Sequence, residues 1–288
     1  MGTQENHIRE LLVWIEDNLT NPLSLDIVSA KSGYSKWYLQ RMFKKQTNLS
    51  LASYIRARRL YLAAFALRFT QKSILDISVE YQFDSQQTFS RCFKKHFAES
   101  PGAYRHARNQ DFSNLVRSLS ANQPGDIQVE RVTIVPGQYV LKGKSYSYYL
   151  EVAELDKSHL HIRNGIREQF YTLLGGRASL TYSLTQMIPD GERARIDYSL
   201  GVAADYPLNN DVELEALPEI HGEFCRFCYS GKPVSLNDHL AQIYTQVLPE
   251  LGLARGDGAD LTLFNYSLNE QEELLLELQH LVPVVPLR

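Results

Sequence analysis

The feature that most constrains this chain is a pattern of two short helices and a turn written twice, with Arg41 and Arg91 at matching places fifty residues apart. In the first copy Ser24 is placed to cap a short helix that runs to Ser32. Gly33 then ends it, because only glycine takes the positive φ of a tight turn without strain. Ser29, four residues earlier, is the small residue that lets the following helix pack close. That helix, over 36–46, carries Trp37, Gln40, Arg41 and Lys44 at i, i+3, i+4 and i+7, on one face, while Leu39, Met42 and Phe43 fall on the other. The second copy has a short helix over 74–81 with Ser78 as its small residue, then a helix over 85–96. On the latter, Gln86, Gln87, Ser90, Arg91 and Lys94 line the exposed side and Phe89 and Phe93 face inward. The turn glycine is not repeated: Gln82 stands in its place, which predicts a strained or open turn there.

The surrounding sequence is helical too. Ile8, Leu11, Leu12, Ile15 and Leu19 recur at helical spacing. A longer helix over 50–69, with Ile55, Leu62 and Leu67 as buried candidates, joins the two copies and carries the basic run Arg56, Arg58 and Arg59. Pro101 opens a last short helix with Tyr104 and Arg105. Residues 1–108 hold 16 Lys and Arg against 9 Asp and Glu, while residues 109–288 hold 14 against 24. A basic first part beside an acidic second part places any polyanion contact in the first.

A helix face of this makeup suits the major groove of DNA. Arginine pairs with both acceptors of guanine, glutamine with the acceptor and donor of adenine, and tryptophan presses on a thymine methyl. Any one polar stripe is also what a solvated helix shows; two copies joined by a basic helix are not so readily ordinary surface. The segments LSLDIVSAKSGYSKWYLQRMFKKQTN, SYIRARRL and ILDISVEYQFDSQQTFSRCFKKHFAESPGAYR resemble the paired helix-turn-helix domain of the AraC/XylS family, in its Rob-like branch, over residues 6–108. The resemblance implies a monomer that reads two adjacent major-groove segments of promoter DNA and activates transcription with RNA polymerase. Carried over by position, it implies base contacts from Trp37, Gln40 and Arg41 and, in the second helix, from Gln86, Gln87, Thr88 and Arg91. Backbone contacts then fall to Ser35, Lys36, Lys44, Arg56, Ser90, Lys94 and Lys95, which position the protein without reading sequence.

Residues 109–126 are polar, end in Pro-Gly and read as a linker. Beyond them the pattern changes to α+β. Strands are expected at 127–135, 139–149, 179–188 and 195–203 around a helix over 154–174. A second set is expected at 212–217, 222–230, 260–267 and 273–285 around a helix over 235–251. A strand-strand-helix-strand-strand unit is therefore used twice over 127–286. With GEFCRFCYSG, LNDHLAQIYTQVLPELGL and the closing VPV, residues 127–288 resemble the gyrase-inhibitor-like effector-binding domain attached to some of these regulators. The resemblance implies two units side by side with an amphipathic ligand held between them. Eleven of the 17 tyrosines lie after residue 108, and Tyr146, Tyr148, Tyr171, Tyr182, Tyr229 and Tyr266 are candidate pocket walls. Tyrosine is equally a common strand residue. Cation-binding relatives carry a buried Glu in the last strand; here Gln279 takes that place, with Glu277 two residues earlier on the same face. This favours an amphipathic acid, such as a bile acid or fatty acid, or no small molecule at all.

Several classes are disfavoured. No apolar run approaches the roughly 20 residues that span a membrane, and no charged-then-apolar leader opens the chain, so a cytoplasmic protein is expected. Cys92, Cys225 and Cys228 make no disulfide framework. Cys225 and Cys228 have metal-ligand spacing, but residues three apart on a strand point to opposite faces. His159 and His161 would share a face only on a strand, and that stretch reads as helix. No metal, cofactor or catalytic residue is expected; no nucleotide loop or nucleophile elbow is present. The alternatives kept for the second half are a protein-docking module or a small hydrolase.

Overall fold

The computed structural model describes residues 3–107, 127–154, 160–176, 178, 180–208, 212–231, 240, 242–268 and 274–287. They fall into two compact units, one before residue 108 and one from residue 127 onward. The 109–126 linker and the predicted helical stretches 155–159 and 235–239, with His159, lie outside the described residues. Among the described residues no helix is long and apolar enough to cross a membrane.

The first unit is all helical: α1 (Thr3–Asp17), α2 (Leu25–Ser32), α3 (Lys36–Thr47), α4 (Leu51–Phe69), α5 (Ile74–Glu80), α6 (Gln86–Phe97) and α7 (Pro101–His106). From α2 to α7 every helix starts after a serine, namely Ser24, Ser35, Ser50, Ser73, Ser85 and Ser100. Each hydroxyl accepts the N–H three residues on. Such a cap contributes about 1 kcal/mol by satisfying a donor the helix leaves open. The core is the one the apolar spacing describes: Ile8, Leu11, Leu12 and Ile15 of α1, Leu19 just after it, and Ile55, Leu62 and Leu67 of α4 are all buried.

The basic run on α4 is not a basic surface. Arg58 is buried, its Nε 3.0 and 2.9 Å from the two oxygens of Glu16 and its Nη2 2.8 Å from one of them. The hydroxyl of Tyr54 donates to the same carboxylate at 2.5 Å, and the Arg58 guanidinium lies 4.2 Å from the Tyr61 ring centre. Arg59 donates to the carbonyls of Leu19 and Asn21, at 2.9 and 2.7 Å. Arg105 likewise serves the carbonyls of Leu67 and Lys72. Of the run, Arg56 is the exposed member. Two of the three arginines thus tie α4 to α1 and to the turn after it.

In the second unit, nine strands among the described residues form one antiparallel sheet. They are β1 (Gln128–Ile134), β2 (Leu141–Leu150), β3 (Thr181–Asp190), β4 (Arg193–Ala203), β5 (Glu215–Ala216), β6 (Gly222–Gly231), β7 (Leu253–Arg255), β8 (Asp260–Leu268) and β9 (Leu274–Pro286). The order is β1-β6-β9-β8-β3-β4-β2-β5, with β7 beside β9. Strand β1 pairs with β6 and β5 with β2, so the first strand of each expected set lies against the other set. Only Glu215–Ala216 of the 212–217 stretch is strand. Helix α8 is Leu160–Leu174, and the second helical stretch is a π-helical turn, Ile243–Val247, continued by Leu248–Glu250. On one face of the sheet Phe170 and Tyr171 of α8 pack on Tyr198, Leu200, Phe264 and Leu278. The other face, one residue out of phase, buries Leu141, Leu184, Phe224, Leu261 and Leu281. Cys225 is buried and Cys228 exposed, as that alternation requires.

Candidate nucleic-acid interface and aromatic cluster

Helices α3 and α6 are built alike. Ser35 and Ser85 cap them; Leu39 and Phe43 in one, Phe89 and Phe93 in the other, are fully buried beneath. Outward on α3 are Lys36, Trp37, Gln40, Arg41 and Lys44, with Lys45 and Gln46 also exposed near its end. Trp37 is 66% exposed, an unusual position for the largest side chain. The guanidinium of Arg41 lies 5.3 Å from its ring centre, so the two present one continuous surface of indole and guanidinium. Lys36 forms an ion pair with Asp26 of α2. On α6, Gln86, Gln87, Arg91, Lys94 and Lys95 are exposed, and Ser90 is half-buried. Thr88 differs from its neighbours: its N–H donates to the Ser85 hydroxyl at 3.1 Å, and its own hydroxyl accepts from Ser85 at 3.0 Å. It belongs to the cap as much as to the face. A groove of about 320 Å³ lies beside α3, lined by Gln40 and Lys44 together with Leu23, Leu25, Leu51 and Ile55.

The two turns close by different means. Gly33 has φ 70°. Gln82 has φ 60° and its turn is closed, with the N–H of Phe83 bonded to the Ser78 carbonyl at 2.9 Å. The expected opening does not occur; the strain of a left-handed side-chain residue does, about 1 kcal/mol. The Gln82 amide offsets part of it by donating to the Thr20 carbonyl at 2.9 Å, which fastens this turn to the segment after α1.

In the second unit the structure gathers some of the tyrosines and separates others. Tyr148, Tyr171, Tyr229 and Tyr266 join one cluster around Tyr198. Tyr146 stands directly opposite Tyr198 across β2 and β4. Tyr182 is on the other face, its ring 6.2 Å from Tyr139. Glu277 and Gln279 are exposed, and they pair with Asn265 and Leu263 on the face away from Leu276 and Leu278. The expected polar group of the pocket is therefore one residue out of register. The inward residue is His280, 6% exposed, on the same face as Leu276 and Leu278.

His280 belongs to a buried polar chain that sequence reasoning missed. The Tyr244 hydroxyl donates to Asp260 Oδ2 at 2.8 Å and lies 2.8 Å from His280 Nε2. A phenol has one proton, so Nε2–H donates to it; in the neutral imidazole Nδ1 then accepts from the Thr262 hydroxyl at 3.0 Å. Asp260 in turn receives Arg255 at 3.0 Å. Burial first, then the Asp260 carboxylate, pushes the Tyr244 phenol well above its usual range. Arg163 and Arg167 of α8 also reach the aromatic cluster: Arg163 Nε donates to the Tyr148 hydroxyl at 2.9 Å. Their spacing of four, continued by Phe170 and Tyr171, was the available signal.

A helical unit that buries two phenylalanine- or leucine-backed helices and turns Trp37, Arg41, Gln87 and Arg91 outward defines a DNA-binding regulator. The family described as Helix-turn-helix domain matches residues 28–107. Over 265 residues the chain is 35% identical to the right origin-binding protein of Escherichia coli K12, covering 90% of each chain. It is 52% identical over 99 residues to the regulatory protein SoxS of the same organism, which covers 34% of this chain and 92% of SoxS. Among solved structures, the C-terminal domain of the two-component response regulator yesN from Fusobacterium nucleatum matches 35% of this chain and 99% of its own, at 27% identity and a TM-score of 0.34. The chain belongs to the AraC-type family of transcription regulators, with relatives of the Rob and SoxS kind.

Proposed function

We propose that this protein is a sequence-specific activator of stress- and multidrug-tolerance genes. In this reading it binds promoter DNA as a monomer through α3 and α6, recruits RNA polymerase, and senses an amphipathic small molecule through its second unit. The observation that carries the DNA reading is Trp37 and Arg41 standing exposed and stacked on a helix whose reverse face is fully buried. That surface gains nothing for the fold and matches the edge chemistry of the major groove. Trp37, Gln40 and Arg41 on α3, with Gln86, Gln87 and Arg91 on α6, read bases in this proposal, Thr88 adding a contact where its cap allows. Ser35, Lys36, Lys44, Arg56, Ser90, Lys94 and Lys95 meet the backbone.

The sheet order supports the duplicated unit. Strands β2-β4-β3 and β8-β9-β6 succeed each other as mirror-ordered triplets, second-fourth-third and third-fourth-second, and β1 and β5 cross over to the opposite triplet. Two such halves side by side enclose an aromatic cluster at their join, where Tyr148, Tyr198 and Tyr266 meet α8. Transcription in a purified system tests the activator reading. Adding the full chain to RNA polymerase and a promoter with a bound site should raise transcript several-fold. Unchanged or lowered transcript at saturating occupancy would remove activation from the proposal.

A further inference from the structure

Every carbonyl of the turn after α1, residues 18–21, accepts a hydrogen bond. That of Asn18 takes the Asn21 N–H at 2.9 Å. Those of Leu19 and Asn21 take Nε and Nη2 of Arg59 at 2.9 and 2.7 Å, and that of Thr20, between them, takes the Gln82 amide at 2.9 Å. The turn is also fixed from within. The Asn18 amide donates to the Trp14 carbonyl at 2.8 Å, its oxygen accepts from the Asn21 amide at 3.1 Å, and Leu19 is buried. Three elements therefore meet on four residues. The turn leads through Pro22 to Ser24, the cap of α2, and so belongs to the first helix-turn-helix. Arg59 is on α4, which joins the two copies. Gln82 is in the turn of the second copy, three residues before Ser85, the cap of α6.

Closing the second turn does not require this side chain. The backbone bond from Phe83 to Ser78 closes it, and glycine would hold the φ of 60° without strain, as Gly33 does at 70° in the first copy. What Gln82 adds is a direct tie to the first copy, 62 residues earlier in the chain. A single connecting helix sets the distance between the two copies but leaves rotation about its own axis open. A second attachment on the same turn, off that axis, closes the rotation. We infer that Gln82, acting on the turn that Arg59 anchors, is a positioning residue that fixes α6 relative to α3 and so sets the spacing between the two DNA blocks the chain accepts. This rests on reading both helices as base readers. One base pair more or less between the blocks moves the second by roughly 3.4 Å and 35°, so a fixed pair of helices tolerates one spacer and a loosened pair tolerates several.

Fluorescence anisotropy of the full chain on labelled duplexes tests this. The duplexes carry the two blocks the wild type selects, with the selected spacer or with one base pair added or removed. The wild type should bind the altered spacers about tenfold more weakly than the selected one. Gln82→Glu keeps the shape but loses the donor, and Gln82→Gly loses the side chain while relieving the turn, so neither depends on a fragile fold. Each should narrow the gap between spacers about threefold, the share of one hydrogen bond. Gln82→Arg, which restores a long donor, should keep the wild-type gap. Ala98→Gly relieves the same kind of strain at the end of α6 without touching the joint, and should keep it too. The gap is a ratio on one preparation, so a loss of folded protein alone does not move it. A wild-type gap in both Gln82→Glu and Gln82→Gly overturns the positioning role, as does a narrowed gap in Ala98→Gly or an unrescued one in Gln82→Arg. A wild type indifferent to the spacer overturns the reading of bases by both helices, and this inference with it.

Discussion

Replacing Glu16 by Gln isolates the role of the buried arginine on α4. The carboxylate accepts from Arg58 through both oxygens and from the Tyr54 hydroxyl, and Arg58 is 1% exposed. The amide keeps the shape and one acceptor but removes the charge, so the buried guanidinium loses the Glu16 carboxylate as its counter-ion. Breaking such a pair from one side costs about 3–5 kcal/mol; the surviving hydrogen bond puts this variant near the lower end. For a unit of this size each kcal/mol lowers Tm by roughly 4–8 °C, so the expected loss is roughly 12 °C or more. Both tryptophans, Trp14 and Trp37, lie in the helical unit, so their fluorescence during heating reports that unit alone. Affinity for DNA at a temperature where the variant is folded should stay near wild type. A Tm within about 2 °C of wild type would refute the assignment of Arg58 to the fold.

Other consequences follow from single positions. Ala98 ends α6 with φ 63°, so Ala98→Gly should stabilise the helical unit by about 1 kcal/mol in the same fluorescence melt. Gln82→Gly should gain less, because it also loses the amide bond to the Thr20 carbonyl; a gain equal to that at Ala98 would show this bond to be idle. Arg56→Ala should leave Tm unchanged but reduce the slope of log affinity against log salt by about 0.9, the share of one phosphate. His280→Leu should lower the stability of the second unit, measured by urea unfolding followed through tyrosine fluorescence, by about 1–3 kcal/mol, since the hydroxyls of Tyr244 and Thr262 lose their shared partner.

The sequence showed most where periodicity and packing agree. On α3 the 3.6-residue repeat puts Leu39 and Phe43 inward, so Trp37, Gln40 and Arg41 must face out; no tertiary knowledge is needed. The arginines of α4 were illegible for the opposite reason. Whether Arg58 meets water or Glu16 depends on a partner 42 residues away in the chain. On β9 the period is two, and an anchoring error of one residue moves every assignment to the other face. That single step exchanged exposed Gln279 for buried His280. Tyr182 fell to the wrong face because β3 is buried on both sides, with Ser183 and Leu184 both enclosed, and alternation in sequence is then weak. Arg163 and Arg167 were passed over because a charged pair on an amphipathic helix reads as its solvent stripe, and only the sheet beneath reveals the reverse.

For the DNA reading to hold, α3 and α6 must both read bases. Selecting bound duplexes from a random pool, with the wild type, Arg41→Ala and Arg91→Ala in parallel at moderate salt, puts this to the test. Two preferred blocks are expected about one helical turn apart, roughly 10–10.5 base pairs centre to centre. Arg41→Ala should flatten preference in one block and Arg91→Ala in the other, each by about 1–3 kcal/mol of base discrimination. A single block, or equal weakening on selected and random DNA in both variants, would contradict it.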